Sequence, residues 1–310
     1  MKDFRSLRIV FMGTPEFAVA SLDTLVKAGC TIVGVVTAPD KPAGRGMKLN
    51  ESAVKKYALE HQLKILQPEK LRSPEFLEAL QSLQADLQIV VAFRMLPEAV
   101  WNMPPMGSVN LHGSLLPQYR GAAPINWAII NGEKTTGVTT FKLKHEIDTG
   151  DILLQESFPV GENDTAGEVH DTMKEIGARL LLRTVQGLAA GDLKEIPQPH
   201  AEEIRHAPRI FTDTCKIDFS KKTEEVHNLV RGLSPFPGAF TQLESKMLKI
   251  YKTRKVLSQP LSGPGQFETD GKTSLRFACA DGYIEVLELQ LEGKKKMETG
   301  EFLRGYRFRP

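Results

Sequence analysis

The sequence of 310 residues predicts an α/β fold followed by a smaller β-rich domain. Up to residue 190, short apolar runs alternate with amphipathic segments, as expected for strands and helices that follow one another along the chain. After residue 210 the apolar runs are β-like, and turns rich in Gly and Pro separate them. Apolar residues make up 41 % of the chain, which suffices for a sizeable core in each domain.

The apolar runs of the first part predict a mainly parallel sheet. Strands are expected at 7–13, 31–37, 63–66, 86–93, 107–111 and 136–143. Helices are expected at 73–84, 122–132 and 165–190, the last with Thr165 as its N-cap and Gly191 as its end. This alternation is typical of a Rossmann-like, doubly wound sheet, in which ligands bind at the carboxyl ends of the strands.

A segment of Pro and charged residues after Gly191 is predicted to link this sheet to the second domain. Beyond it we expect one helix at 221–233 and a small β-rich barrel or sandwich, assigned as an OB-like barrel. The domains are accordingly placed at 1–206 and 207–310. Residues from Arg209 onward carry 18 Lys and Arg against 13 Asp and Glu, whereas the chain as a whole has a net charge of only +2. This basic end favours contact with a polyanion.

Several classes of protein are disfavoured by features that the sequence lacks. No apolar stretch approaches the ~20 residues of a membrane span, and the first residues do not resemble a signal peptide. The three cysteines show no C-x-x-C spacing, which is typical of buried thiols in a reducing cytoplasm. The turn "FMGTPEFA" has one Gly instead of a dinucleotide fingerprint, and neither a P-loop nor a G-x-S-x-G motif is present.

A polar pair ends one of the predicted strands. Asn110 and His112 lie two residues apart and therefore project from one face of the strand. Alone, such a pair is typical of a strand end that satisfies loop backbone. The surroundings favour chemistry, because "GSLLPQYRG" turns sharply after the pair and "KHEIDTGDILL" (144–154) places acids before another strand. An amide donor, an imidazole and a carboxylate at neighbouring strand ends suit a reaction through a tetrahedral oxyanion.

A metal site is the competing interpretation of the same region. The residues of ligand type are His112, His145, Glu146, Asp148 and Asp151. Their spacing matches no familiar zinc pattern, so we expect no metal.

A basic segment, "DKPAGRGMKLNESAVKK" (40–56), is predicted to be a loop. It places Lys41, Arg45 and Lys48 around Gly and Pro residues, with Lys55 and Lys56 behind them. Such a loop is either a solvated connection or an adaptable element that binds phosphates. In the second domain, further basic residues would extend a phosphate-binding track: Lys246, Lys249, Lys252, Arg254, Lys255, Lys294, Lys295 and Lys296.

Six segments carry a resemblance that covers the chain from Leu7 to Gly305. They are "FMGTPEFA", "VVTAPDKPAGRGMKL", "NLHGSLLPQYRGAAPINWAIINGEKTTGVT", "DTGDIL", "VRGLSPFPGAFT" and "LQLEGKKKMETGEFLRG". The sequence thereby resembles the formyltetrahydrofolate-dependent formyltransferase family, which includes glycinamide ribonucleotide and UDP-sugar formyltransferases and formyltetrahydrofolate hydrolase. The loop "DKPAGRG" and the C-terminal domain resemble those of its methionyl-tRNA formyltransferases.

The resemblance implies a reaction and the residues that perform it. The α-amine of methionine on initiator tRNA would attack the formyl carbon of 10-formyltetrahydrofolate, the donor co-substrate, without a covalent enzyme intermediate. The implied catalytic residues are Asn110, His112 and Asp148. The implied folate contacts are Ser114, Leu115, Leu116 and Pro117, with the pterin ring near 93–96, and the implied tRNA contacts are Lys41, Arg45 and Lys48. A cytoplasmic monomer is implied, with no membrane association.

Two other functions compete with this interpretation. One is formyl transfer to an amino sugar or nucleotide amine, or hydrolysis of the donor, which the basic β-rich end of the chain disfavours. The other is an RNA-binding module with an inactive catalytic fold, which the presence of Asn110, His112 and Asp148 disfavours. Arg94 departs from the Gly that is common in relatives, and His145 and Ile147 also differ from the commoner residues. None of these departures changes a residue of the implied catalytic set.

Overall fold

A computed structural model describes residues 3–43, 48–199 and 203–308 of the chain. The described residues form two compact units. The first is drawn from 1–120, 137–158 and 170–206, and the second from 121–136, 159–169 and 207–310. Two segments that precede the predicted boundary at residue 206 therefore pack with the second unit. The assignment of catalysis to 1–206 and of tRNA contact to 207–310 stays a prediction.

Strands and helices alternate over the first 190 residues. In chain order they are β1 (Arg8–Gly13), α1 (Glu16–Lys27), β2 (Thr31–Val36), β3 (Lys41–Ala43), β4 (Lys48–Asn50), α2 (Ala53–Glu60), β5 (Ile65–Leu66), α3 (Pro74–Ser82), β6 (Leu87–Val91), α4 (Glu98–Trp101), β7 (Ser108–His112), β8 (Arg120–Gly121), α5 (Pro124–Ile130), β9 (Thr135–Lys142), β10 (Ile152–Pro159) and α6 (Ala166–Ala190). Thr165 caps α6 as predicted, since its hydroxyl accepts from the Glu168 N–H at 3.3 Å and the Glu168 carboxylate accepts from the Thr165 N–H at 2.8 Å.

The sheet of the first unit has the order β10-β9-β7-β6-β1-β2-β5. The pairs β1–β2, β1–β6, β2–β5 and β6–β7 are parallel, and β9 adds to β7 in the antiparallel direction. The predicted mainly parallel α/β sheet is thus confirmed. Four consecutive residues of β1, from Ile9 to Met12, are completely buried, which explains why that strand has no polar alternation.

Helices cover both faces of this sheet. On one face, Val10, Met12 and Val90 pack against Phe76 and Leu80 of α3. On the other face, Leu111 of β7 contacts α6 so closely that a Cβ on Gly177 would lie 2.9 Å from its methyl carbon. The sheet is therefore doubly wound, as predicted, and β7 lies inside it, so that only the end of this strand is free for chemistry.

The prediction of a loop over 40–56 is wrong in part. β3 and β4 pair as an antiparallel hairpin, with Lys41 opposite Asn50 and Ala43 opposite Lys48, and α2 begins at Ala53. Strands of three residues, one of which contains Pro42, show no alternation that a sequence pattern could detect. Residues 44–47 of the predicted loop lie outside the described residues.

The second unit contains the predicted β-rich domain. Its remaining elements are β11 (His206–Ala207), α7 (Thr223–Gly232), β12 (Ala239–Leu243), β13 (Lys246–Val256), β14 (Phe267–Thr269), β15 (Leu275–Ala278), β16 (Tyr283–Leu291), β17 (Met297–Glu298) and α8 (Thr299–Gly305). The sheet order is β12-β13-β16-β15-β14 with β17 on β16, and its pairs are antiparallel. The predicted β-rich fold class is confirmed, although the short strands β11, β12, β14 and β17 and the helix α8 were not expected.

A single apolar cluster forms the core of the second unit. Val226 and Val230 of α7 lie in it beside Leu248, Ile284 and Phe277 of the sheet. The amphipathic helix predicted at 221–233 therefore covers one side of the sheet. Among the helices of the described residues, none has the length and apolar character that crossing a bilayer requires.

The three cysteines provide a test of this packing. Cys30, Cys215 and Cys279 are all buried, and burial raises the pKa of Cys30 to about 11, that of Cys279 to about 12, and that of Cys215 as well. Because the thiolate is the reactive form, we expect no reaction with a chromogenic disulfide reagent at about pH 8 in the native protein. Three equivalents should react in denaturant. Rapid reaction of one thiol in the native protein would contradict the burial.

Candidate active site

Strand β7 brings the predicted polar pair to the carboxyl end of the sheet. In the register, Asn110 lies opposite Val90 on one side and Phe141 on the other, and His112 lies opposite Thr139. Because side chains alternate along a strand, Asn110 and His112 share a face and Leu111 lies on the opposite one. The alternation along β7 thus places both polar side chains on the same face of the sheet, and no loop residue is needed for this.

The imidazole of His112 is held by one firm hydrogen bond. The residue is 6 % exposed, and its Nε2 lies 2.9 Å from the carbonyl oxygen of Tyr119. A carbonyl oxygen only accepts, so Nε2 carries its hydrogen and Nδ1 is the nitrogen left for chemistry. That nitrogen lies 3.8 Å from Oδ2 of Asp148. The structure therefore brings two of the three predicted catalytic residues next to each other.

The carboxylate of Asp148 comes from the loop between β9 and β10. Its side chain is 11 % exposed, and its backbone has a φ of 55°, in the left-handed region that few non-glycine residues adopt. Such a backbone conformation persists only where neighbouring contacts hold it. Contacts with neighbouring residues therefore hold the backbone of the loop around Asp148.

Gln198 holds this acid loop. Its amide nitrogen donates to the carbonyl oxygens of Asp148 and Gly150, at 2.8 and 2.9 Å. Its amide oxygen accepts from Arg120, whose Nε lies 3.1 Å away. No sequence pattern indicates this role, because Gln198 belongs to the predicted linker and is far from both partners along the chain.

Gly150 is required where the acid loop meets β9. A Cβ at this position would lie 1.6 Å from the carbonyl oxygen of Lys142, a separation that no packing change can accommodate. The sequence "DTGD" is thus a backbone requirement as well as a source of carboxylates. It lets the loop approach β9 closely enough for Asp148 to reach His112.

The amide of Asn110 is available for a ligand. The residue is half-buried, and among the described residues its side chain has no hydrogen-bond partner. A half-buried amide without a protein partner gains by binding a polar ligand group. Its two N–H donors are therefore free for an oxygen that carries developing charge.

The loop after His112 is pinned to β9 and β10. Ser114 donates from its hydroxyl to the Gln118 carbonyl oxygen at 2.6 Å, and its own carbonyl oxygen accepts from the Thr139 hydroxyl at 2.7 Å. The Leu116 N–H donates to that same hydroxyl at 3.1 Å, and its carbonyl oxygen accepts from the Gln155 amide at 2.9 Å. Thr139 and Gln155 therefore shape the loop, and neither was predicted.

Four of these loop residues were predicted to contact folate, and their burial differs. Ser114, Leu116 and Pro117 are buried, and the Leu116 side chain packs with Phe141. Leu115 is partly exposed. A ligand along this loop would therefore meet Leu115 and backbone groups rather than the Ser114 hydroxyl. The folate contacts stay a prediction.

Two of the three residues predicted to contact tRNA belong to β3 and β4. Lys41 is exposed at the start of β3, Lys48 begins β4, and Arg45 lies outside the described residues. Lys55 has a different role from the one expected of a phosphate ligand, because its ammonium group pairs with Asp40 and, at 2.9 Å, with Glu51. These contacts fix the base of the hairpin, and their role in tRNA binding stays a prediction.

The competing metal interpretation gains no support from this arrangement. Within the described ranges, no group of three or more His, Cys, Asp or Glu side chains lies close enough to hold one ion. Asp151 pairs with Lys144 at 2.8 Å, and His145 is exposed.

Arg94, which differs from the Gly that is common in relatives, donates to the carbonyl oxygens of Pro68 and of Glu69, the latter at 2.9 Å.

Comparison with known families defines the class of protein. The family model "Formyl transferase" matches residues 7–185, and "Formyl transferase, C-terminal domain" matches residues 209–307. The first match contains Asn110, His112 and Asp148. The chain belongs to the formyl transferase family.

Within that family, several methionyl-tRNA formyltransferases share about half of their residues with this chain. A methionyl-tRNA formyltransferase of Bacteroides fragilis is 54 % identical, over 97 % of this chain and 95 % of the relative. Those of Parabacteroides distasonis and Porphyromonas gingivalis are 52 % and 50 % identical, each over 97 % of this chain and 96 % of the relative.

Solved structures with lower identity share the fold. An N-formyltransferase of Helicobacter canadensis, in complex with folinic acid and dTDP-3-aminofucose, has a TM-score of 0.70 at 22 % identity over 94 % of this chain and 100 % of that one. HypX of Aquifex aeolicus, in complex with tetrahydrofolic acid, has a TM-score of 0.66 at 20 % identity over 96 % of this chain. This chain spans 48 % of the HypX chain.

Replacement of Gly150 tests the geometry of the acid loop. We expect Gly150→Ala to lower the free energy of unfolding of the first unit by about 3 kcal/mol, because the new methyl group collides with backbone. Gly191→Ala is the matched control in the same unit: its φ is 78°, but nothing lies within 4 Å of the added carbon. It should cost about 1 kcal/mol, for backbone conformation alone. Equal effects in urea unfolding would contradict the close approach.

Proposed function

We propose that the protein transfers the formyl group of 10-formyltetrahydrofolate to the amino group of methionyl initiator tRNA, giving N-formylmethionyl-tRNA for translation initiation. The observation that carries the proposal is the site at the end of β7, where Nδ1 of His112 lies 3.8 Å from Oδ2 of Asp148 and Asn110 shares the strand face of His112. The proposal is supported by membership of the formyl transferase family and by sequence identities of 50 % and 54 % to methionyl-tRNA formyltransferases.

The amide of Asn110 would stabilise the charge that forms during transfer. The α-amine attacks the formyl carbon, and the electron pair of the C=O bond moves onto its oxygen. The Asn110 amide donates to that oxyanion beside the His112 ring, and one such donor contributes roughly 3 kcal/mol to the transition state. Collapse restores the C=O bond and breaks the bond from the formyl carbon to the folate nitrogen, so that tetrahydrofolate leaves.

His112 and Asp148 would manage the proton that the amine loses. Because Nε2 of His112 is bound to the Tyr119 carbonyl oxygen, the ring meets the reacting groups through Nδ1. Asp148 accepts the amine proton and passes it to the folate nitrogen, directly or through a water. The distance of 3.8 Å between Nδ1 of His112 and Oδ2 of Asp148 exceeds a direct hydrogen bond, and it keeps the carboxylate next to the ring that the substrate amine approaches.

The acceptor RNA would be bound by basic groups on the β3–β4 hairpin. Lys41, Arg45 and Lys48 supply the cations for phosphate contacts. Lys55 and Gln67 both bind Asp40 at the hairpin base, where the carboxylate accepts from the Gln67 amide at 2.8 Å. These bonds also hold the pKa of Asp40 below its usual range, so the anchor stays ionised near neutral pH.

The proposal also covers the roles of the two domains, the cellular location and the oligomeric state. Residues 1–206 carry catalysis and 207–310 contact tRNA. The protein works in the cytoplasm as a monomer, as the resemblance to methionyl-tRNA formyltransferases implies.

A transfer assay tests the reaction and the site together. With purified protein, 10-formyltetrahydrofolate and methionyl-tRNA, we expect formyl-methionine on initiator tRNA and not on elongator tRNA. His112→Ala and Asp148→Asn should each lower kcat by about 10²–10³. His145→Ala, on the same loop as Asp148 but exposed, should change it less than twofold.

The outcomes of that assay separate the competing functions. Release of tetrahydrofolate without formylated tRNA would contradict the proposed acceptor, and small amines would be tested next. Tight RNA binding without any transfer would favour the inactive binding module. Full activity of His112→Ala would contradict the assignment of the site.

The role of the hairpin in binding tRNA is tested by the KM for methionyl-tRNA. We expect Arg45→Ala to raise the KM for methionyl-tRNA about tenfold and to lower the slope of log KM against log salt by about 0.9, the value for one lost phosphate contact. The KM for the folate donor should not change. Lys64→Ala, an exposed cation elsewhere in the first unit, is the control. Equal effects of the two variants would exclude a specific role for Arg45.

A further inference from the structure

The second unit contains a cleft that the proposed chemistry does not use. It has a volume of about 530 Å³ and is lined from four segments of the chain: 122–126, 209–215, 236–240 and 247–249. All four segments belong to the second unit. The cleft is therefore a property of the second unit itself.

Two aromatic side chains at this cleft are unusually exposed. Phe236 is 81 % exposed and Phe211 is 63 % exposed. Pro235 and Pro237 restrict the backbone on either side of Phe236, and the Gly238 N–H closes the turn by donating to the Leu233 carbonyl oxygen at 2.8 Å. An exposed aromatic ring on such a restrained turn loses little conformational entropy when a flat ligand stacks on it.

Two cations accompany these rings. The Arg209 guanidinium lies 5.8 Å from the centroid of the Phe211 ring, and the Lys249 ammonium donates to the Pro237 carbonyl oxygen at 2.9 Å. Within the described part of the chain, neither cation forms an ion pair with a carboxylate. Their positive charge is thus not neutralised by the protein.

Three other basic residues of the second domain are paired with carboxylates. Arg254 pairs with Glu285 at 2.5 Å, Lys255 with Glu162 at 2.7 Å, and Lys296 with Glu288 at 2.6 Å. The predicted track of basic residues is therefore partly neutralised. Within the described residues, the track members without an ion pair are Lys246, Lys249, Lys252, Lys294 and Lys295, and of these Lys249 lines the cleft.

A shallow groove extends from the cleft towards the lysines at 294–295. Met247 and Lys249 line both cavities, and Gln290 to Gly293 line the groove. Glu292 is the acid in it, and its carboxylate accepts from the Met247 N–H at 3.2 Å. The path from the exposed rings to the lysine turn therefore carries a positive surplus, which favours a polyanionic chain.

We propose that this cleft binds an unpaired nucleotide of the acceptor RNA, with the base stacked on Phe236 and the adjoining phosphates on Lys249 and Arg209. This inference rests on the proposed function, which supplies the RNA. Aromatic platforms flanked by unpaired cations are typical of binding to single-stranded nucleic acid. Paired bases have no free face for stacking, so the ligand is a nucleotide outside the double helix. An apolar peptide would leave both cations without a partner.

Steady-state kinetics with the full chain provide the first test. We expect Phe236→Ala to raise the KM for methionyl initiator tRNA about tenfold, because a base–aromatic stack is lost. The KM for 10-formyltetrahydrofolate and the kcat at saturating tRNA should stay within twofold of the original protein. Phe236→Tyr should keep the tRNA affinity. Leu261→Ala, which removes an apolar side chain that is 89 % exposed in the same unit, is the matched control and should have no effect.

Fluorescence provides a direct test of stacking that does not depend on activity. In Phe236→Trp, titration with initiator tRNA should quench the emission of the new tryptophan, because stacking on a base quenches indole. In Leu261→Trp it should not. A second variant, Lys249→Gln, should reduce the slope of log Kd against log salt by about 0.7, the value for one contact to a single strand. Lys272→Gln is its control, since Lys272 is exposed in the same unit.

Failure of this inference can be told apart from failure of the proposed function. If the unaltered protein formylates initiator tRNA but Phe236→Ala keeps its tRNA KM and the new tryptophan is not quenched, the cleft does not bind RNA. If the unaltered protein does not formylate tRNA at all, the proposed function is wrong. Quenching by RNA in Leu261→Trp equal to that in Phe236→Trp would also overturn the assignment to the cleft.

Discussion

The hydrogen bond from His112 Nε2 to the Tyr119 carbonyl oxygen is the interaction on which the geometry of the site depends. It joins the end of β7 to the loop that follows, and it settles which ring nitrogen faces the acid. Without it, the ring could rotate about its side-chain bonds and present either nitrogen. With it, Nδ1 faces Asp148, and the reacting groups meet a fixed arrangement rather than one formed after the substrate binds.

Two features of the surrounding backbone support that arrangement. Gly150 lets the acid loop approach β9, where any Cβ would collide with the Lys142 carbonyl oxygen. Gln198 then fixes the loop by binding two of its carbonyl oxygens. Asp148 accordingly holds a left-handed backbone conformation next to a buried imidazole. The amide of Asn110, which has no hydrogen-bond partner among the described residues, completes a site whose backbone contacts are formed without a ligand, as electrostatic stabilisation of an oxyanion requires.

Much of the fold and the core of the site could be predicted from residue patterns. The strands and the long helix follow from apolar runs and from the Thr165 cap, which are local signals. Asn110 and His112 were found because spacing by two on a strand end places them on one face. Asp148 was selected among several acids of 144–154 by family resemblance alone. The hairpin at 41–50 was not predicted, because strands of three residues are too short to show an alternation of apolar and polar residues.

By itself, the sequence determined the order of the elements, the end of β7 that carries polar groups, and the surplus of basic residues after Arg209. Periodicity and composition are local properties, and they survive without knowledge of contacts. Only the tertiary structure decided that Gln198 supports the acid loop, that Lys55 anchors a hairpin, and that Lys249 keeps its charge free while Lys255 does not. These outcomes depend on which distant segments meet, and a pair separated along the chain has no periodic signature.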